Sequence, residues 1–206
     1  MLVDRSVRDL IAAFASSDPT PGGGSASALA SAVGASLLQM VASLPTTRSG
    51  SGDERAALTG AAAALGELRR QLMDAIDADT AAYDQVVAAY KLPKASPDEQ
   101  QARKAAIQRA LRAATDTPLG VMRLSARTLE HAETVAACGH GAAASDAGVA
   151  VALLRAGLYG AGLNVDINLG SVSDAPYAES ARAERARLAA AAAVSAERAE
   201  SLLRRE

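Results

Sequence analysis

The chain has 206 residues and a formal charge of −2, and half of it is apolar although only 2 % is aromatic. Roughly a quarter of its positions are Ala, which favours closely packed helices and argues against an aromatic-rich β-sandwich or barrel. With 21 Lys and Arg against 23 Asp and Glu, no positive excess exists to neutralise a nucleic-acid backbone, and the lone Cys138 excludes a disulfide framework.

Pro and Gly clusters punctuate a helical periodicity that runs through nearly the whole chain. The spacing predicts helices over 4–17, 26–44, 54–91, 98–136, 146–170 and 177–204, the fourth bending at Pro118. Connections are short and none reads as an interdomain linker, so residues 1–206 are expected to form one all-α domain, a compact bundle of about six antiparallel helices. Met1 to Ala15 carries Asp4, Arg5, Arg8 and Asp9 and does not resemble a targeting segment. No apolar run approaches the roughly 20 residues that span a bilayer, so a soluble, cytoplasmic protein with no membrane partner is expected.

The first segment of chemical interest is Pro21-Gly22-Gly23-Gly24-Ser25, which opens the second helix. Glycines there let backbone N–H groups approach a ligand at the positive helix end; the plainer reading is a flexible helix start, since neither a dinucleotide fingerprint nor a P-loop surrounds it. In the third helix, Leu65, Leu68, Leu72, Ile76, Tyr83, Val86 and Tyr90 define a buried stripe, and Asp79 falls on it. A carboxylate in apolar surroundings is paired, protonated or used, and desolvation lifts its pKa towards the range of general acid and base work. The alternative is an Asp bonded to a backbone donor or an Arg. Asp77 and Asp84 project away and read as solvated.

In the fifth helix, Asp146, Val149, Leu153, Gly157, Gly160, Asn164 and Asn168 share one stripe with polar groups at both ends. Asp146 and Asn164 lie about 27 Å apart along it and cannot touch one reacting atom. Ser145 is read as the N-cap, with Asp146 favouring the positive end of the helix. The last helix surrounds a thin seam of Leu188, Ala192, Ala199 and Leu202 with charges from Arg182 to Arg205, as a solvated outer helix or a dimer edge would. His131, Cys138 and His140 fit no metal-ligand spacing, and no metal is expected.

In this order, Pro19 to Ser25, Ile76-Asp77-Ala78-Asp79-Thr80-Ala81-Ala82-Tyr83, Lys91-Leu92-Pro93-Lys94 with Arg103, Ser145-Asp146-Ala147-Gly148-Val149-Ala150 and Asn164-Val165-Asp166-Ile167-Asn168-Leu169 resemble the formiminotetrahydrofolate cyclodeaminase and methenyltetrahydrofolate cyclohydrolase family. The resemblance covers about residues 5 to 175. It implies an all-helical homodimer acting on a tetrahydrofolate derivative without a metal. Asp79 is then the catalytic base, with Asp146 and His140 as secondary catalytic candidates. Pro21, Gly22, Gly23, Gly24, Ser25, Tyr83, Lys94 and Ser145 are the expected substrate-binding residues. Lys91, Lys94 and Arg103 would meet the glutamate tail, although basic residues around a Pro are commonly solvated loop charges.

Two positions depart from the family pattern. His140 follows Gly139 where relatives usually carry Asn, and the 45–52 connection keeps only Arg48 of a tyrosine and a basic pair. The expected reaction is hydrolysis of 5,10-methenyltetrahydrofolate to 10-formyltetrahydrofolate, because the formiminotransferase that supplies a cyclodeaminase would need a further domain. The alternatives are a cyclodeaminase that releases ammonia, and a non-catalytic folate-binding or scaffold relative.

Overall fold

The computed structural model describes residues 1–204; Arg205 lies outside them. It contains α1 (Val7–Phe14), α2 (Gly23–Ala42), α3 (Gly52–Tyr90), α4 (Pro97–Cys138), α5 (Ala144–Leu169) and α6 (Ala175–Leu203), with 3₁₀ turns at Leu2–Asp4 and Gly141–Ala143 and no strand among the described residues. Each helix after the first falls within three residues of its expected ends. The first is much shorter than 4–17, because Ser6 accepts a hydrogen bond from the Asp9 amide and starts the helix there. Leu10 is the only fully buried residue of α1, so five long helices make up the bundle and α1 lies on its surface.

Cross-helix contacts fix the directions. Ser25 meets Asp79 while Gln39 meets Gly66, and Gly23 meets Asn164 while Gly34 meets Ala150, so α3 and α5 both run antiparallel to α2. The α2–α5 approach is close: a Cβ on Gly34 would lie 2.8 Å from the Ala150 carbonyl oxygen. Small residues therefore bring these two axes together, as the Ala-rich composition predicts. α6 runs antiparallel to α5 and parallel to α4. It is held by Arg155–Glu200 (2.8 Å) and Arg185–Asp166 (2.8 Å) on one side and by Arg123–Glu184 (2.7 Å) on the other. Its Leu188, Ala192 and Ala199 are buried inside this chain, which makes it an outer helix of the bundle.

Four sequence expectations are corrected. Ser145 does not cap α5: the 3₁₀ turn runs directly into that helix, whose N-cap is Ala143, and Ser145 sits exposed in the first turn. Asp77 is not free in solvent, since it accepts from the Leu2 amide at 2.5 Å and ties down the N-terminal turn. Leu65, Leu68, Leu72 and Ile76 are buried as expected, but Tyr83 and Tyr90 are 40 % and 50 % exposed. The reason is register: α2 begins level with Ile76 to Asp79, so no α2 covers α3 beyond that point. Val149 is likewise exposed, because the buried face of α5 passes through Ala147, Ala150, Val151 and Leu154 instead.

By length and composition, α2 and residues 141–169 are apolar enough to cross a membrane, which the short uninterrupted apolar runs did not suggest. Both are core elements of the bundle, α2 being packed on α3, α4 and α5.

Candidate functional site

The three glycines are the N-cap and first two residues of α2, and they bring the start of that helix onto α3. The Ser25 amide donates to Asp79 Oδ2 at 2.9 Å. Ser25 Oγ shares its one proton between the Ile76 carbonyl at 2.8 Å and the same Asp79 oxygen at 3.1 Å. A Cβ on Gly24 would collide with the Asp79 carboxylate, so a residue without a side chain is required where the two helices meet. Asp79 is thus held by a backbone donor, as the plainer reading of the sequence supposed, and the positive end of α2 faces it. Burial raises its pKa above the usual carboxylate value, against the pull of the two Ser25 hydrogen bonds. Asp79 Oδ1 accepts no hydrogen bond from the described residues.

This half-buried carboxylate opens into a cavity of about 330 Å³ between the start of α2 and helices α3, α4 and α5. Its walls include Pro19, Thr20, Gly22, Gly23, Gly24, Tyr83, Leu111, Ala114, Asn164 and Asn168, and Asp79 is the only charged residue among the lining side chains. Asn164 and Asn168 were visible in the sequence as the polar end of the α5 stripe, but spacing alone did not assign that end to Asp79. Pro19 and Thr20 contribute wall where Pro21 was expected; Pro21 follows a cis peptide bond and immediately precedes the N-cap Gly22.

The other candidates lie elsewhere. Asp146, Ser145 and His140 sit around the start of α5, at the opposite end of the bundle from Asp79, near the 45–52 connection. That connection is docked on the end of α4: the Arg48 amide and guanidinium donate to the Cys138 and Ala136 carbonyls at 2.9 and 2.8 Å. Burial pushes the Cys138 thiol up rather than activating it. Lys94 is exposed and lines a separate surface depression with Gln100, Arg103, Lys104, Ile107 and Gln108, one turn of α4 before the cavity wall at Leu111. Arg103 is already engaged, donating to the Tyr90 carbonyl at 3.0 Å with its guanidinium 5.6 Å from the Tyr90 ring centre. Among the described residues, no group of three His, Cys, Asp or Glu side chains is placed to hold a metal ion.

Comparison with known proteins gives consistent likenesses. Residues 6–187 match the model of a family described as formiminotransferase-cyclodeaminase. A methenyltetrahydrofolate cyclohydrolase of Methylorubrum extorquens is 40 % identical over 179 residues, covering 87 % of this chain and 86 % of that protein. A formimidoyltransferase-cyclodeaminase of Rattus norvegicus is 32 % identical over 181 residues, 88 % of this chain but 34 % of the rat protein. Among solved structures, the formiminotetrahydrofolate cyclodeaminase of Thermotoga maritima superposes with a TM-score of 0.88 at 27 % identity, covering 99 % of this chain and 98 % of that one.

Proposed function

Because this chain belongs to the formiminotransferase-cyclodeaminase family, we propose that it is a folate one-carbon enzyme that hydrolyses 5,10-methenyltetrahydrofolate to 10-formyltetrahydrofolate. The observation that carries the chemistry is Asp79, an anion held by Ser25 through one oxygen with the other open to a cavity that has no second charge. Such a group stabilises a cationic methenyl bridge electrostatically, and its raised pKa suits proton transfer. Water adds to the bridge carbon as Asp79 takes its proton. As the N5–carbon bond of the tetrahedral adduct breaks, Asp79 returns that proton to N5, the adduct's hydroxyl proton is released to solvent as the C=O forms, and the formyl group stays on N10. The 40 % identity to the cyclohydrolase, against 27 % to the full-length cyclodeaminase of Thermotoga maritima and 32 % to the rat protein, supports this reaction above deamination.

The glycine turn and Tyr83 shape the wall beside the reacting carbon, and Lys104, two turns of α4 before Leu111, with Lys94 in the same depression, lies where a glutamate tail leaving the cavity would run. A cytoplasmic homodimer is part of the same proposal. It is supported by an exposed apolar row on α5: Val149, Ala152, Ala156, Tyr159 (65 % exposed), Leu163 and Ile167 (74 %), with no charged member. Two copies packed antiparallel on this row, crossing near Ala156, would bring the partner's Asp146 and the partner's His140 to the level of the cavity. In that arrangement they assist Asp79 across the subunit boundary.

The test is direct. Purified protein mixed with 5,10-methenyltetrahydrofolate should bleach its absorbance faster than buffer alone, and should release little ammonia from 5-formiminotetrahydrofolate. Ammonia release without hydrolysis would reverse the choice of reaction, and inactivity in both assays would reduce the chain to a binding protein.

A further inference from the structure

Pro118 is buried within α4, and having no N–H it leaves the Ala114 carbonyl without its helical donor. The vacancy is filled from another helix: Asn168 Nδ2 on α5 donates to Ala114 O at 2.7 Å. A side-chain amide has two orientations related by exchange of O and N, and only one offers a donor to a carbonyl. The missing proline N–H therefore sets the flip of Asn168, with Nδ2 committed to α4 and Oδ1 left unpaired among the described residues. Ala114 and Asn168 both line the Asp79 cavity. One turn earlier the pattern repeats, as Asn164 Nδ2 donates to Gly160 O at 2.9 Å and its own Oδ1 is unpaired.

The cavity thus gathers Asp79 Oδ1 and two amide oxygens, all acceptors. Among the lining side chains, the protons left to give are those of the Thr20 and Tyr83 hydroxyls and the second Nδ2 proton of each Asn. Such a wall offers three acceptors to N–H donors, and its single charge, the Asp79 carboxylate, favours positive charge over another carboxylate or a phosphate. Resting on the function proposed above, we propose that Asn168 Oδ1 accepts a hydrogen bond from an N–H of the reduced pterin. Pro118, acting through Asn168, is the positioning residue that keeps this acceptor in place.

Steady-state kinetics on 5,10-methenyltetrahydrofolate with Asn168→Ala, Pro118→Ala and the double variant test the idea. Loss of one hydrogen bond to substrate in Asn168→Ala should raise KM about tenfold, with kcat changed less than about threefold. Pro118→Ala restores a backbone donor to Ala114 and frees the Asn168 amide, so KM should rise about threefold, and the double variant should be no worse than Asn168→Ala alone. In stability the signs differ: Asn168→Ala should lower Tm by orphaning the Ala114 carbonyl, and adding Pro118→Ala should restore it. Unchanged KM in Asn168→Ala, or independent losses that multiply in the double variant, would overturn the proposal. The same four proteins are titrated with 5-formyltetrahydrofolate, which keeps the pterin donors. Wild-type binding without turnover would overturn the hydrolase reading alone, the four Kd values then deciding Asn168, and no binding by the wild type would overturn both.

Discussion

Asp79 meets two demands that pull in opposite directions. Its burial disfavours the anion that catalysis needs, and Ser25 supplies just two hydrogen bonds in return. Asp79→Asn keeps the shape and removes the base, so turnover should fall roughly 10²- to 10⁴-fold. Because the folded pKa is raised above the unfolded value, the group favours folding below the unfolded pKa and loses that contribution as pH rises through the folded one. Asp79→Asn should accordingly match or exceed the parent in Tm at pH 7, an advantage that fades on acidification below the ordinary carboxylate range; a lower Tm at pH 7 contradicts this account. The parent's kcat/KM should fall on acidification with a limb above that range. Gly24→Ala is the complementary change. Its methyl would displace the Asp79 carboxylate and leave the buried Ser25 amide unpaired, so activity should drop by about 10²-fold and Tm should fall with it.

At the scale of elements, helix identity was legible in the sequence and register was not. The 3.6-residue pattern located every long helix and put Asp79 and the glycine turn forward as candidates. It could not show that α2 begins level with Ile76, so Tyr83 and Tyr90 were counted as buried, and it could not decide which polar end of the α5 stripe faces Asp79. Those facts depend on contacts between residues 50 or more apart, which local spacing does not encode. The 45–52 connection teaches the same lesson, since its Ser and Thr looked like a depleted loop. In the structure, Thr47 Oγ1 and the Ser49 amide donate to Glu54 Oε2 at 2.7 and 2.9 Å, which holds the Glu54 carboxyl down to about 2. A depressed folded pKa stabilises above the ordinary Glu value and is lost as pH falls through about 2. Glu54→Gln should therefore melt below the parent at pH 7, and the gap should close as the pH approaches 2; a gap independent of pH would mean that the tie is not electrostatic.

For the whole molecule, the exposed α5 row predicts its own disruption. Leu163→Glu should convert a dimer to a monomer in light scattering and lower activity without unfolding the chain, and a monomeric wild-type protein would remove the two-subunit arrangement. A different consequence follows from the meeting of α2 with α3. Amides in the first turn of a helix have no carbonyl behind them and ordinarily trade their protons with water first. The Ser25 amide is buried and bound to Asp79, on a helix enclosed by three others. In deuterated solvent it should rank with the slowest protons of the bundle, while the Val7 and Arg8 amides at the exposed start of α1 exchange at once. If so, the reacting carboxylate also closes the end of the innermost helix, and the rate at which that one proton is lost measures how often the site comes apart.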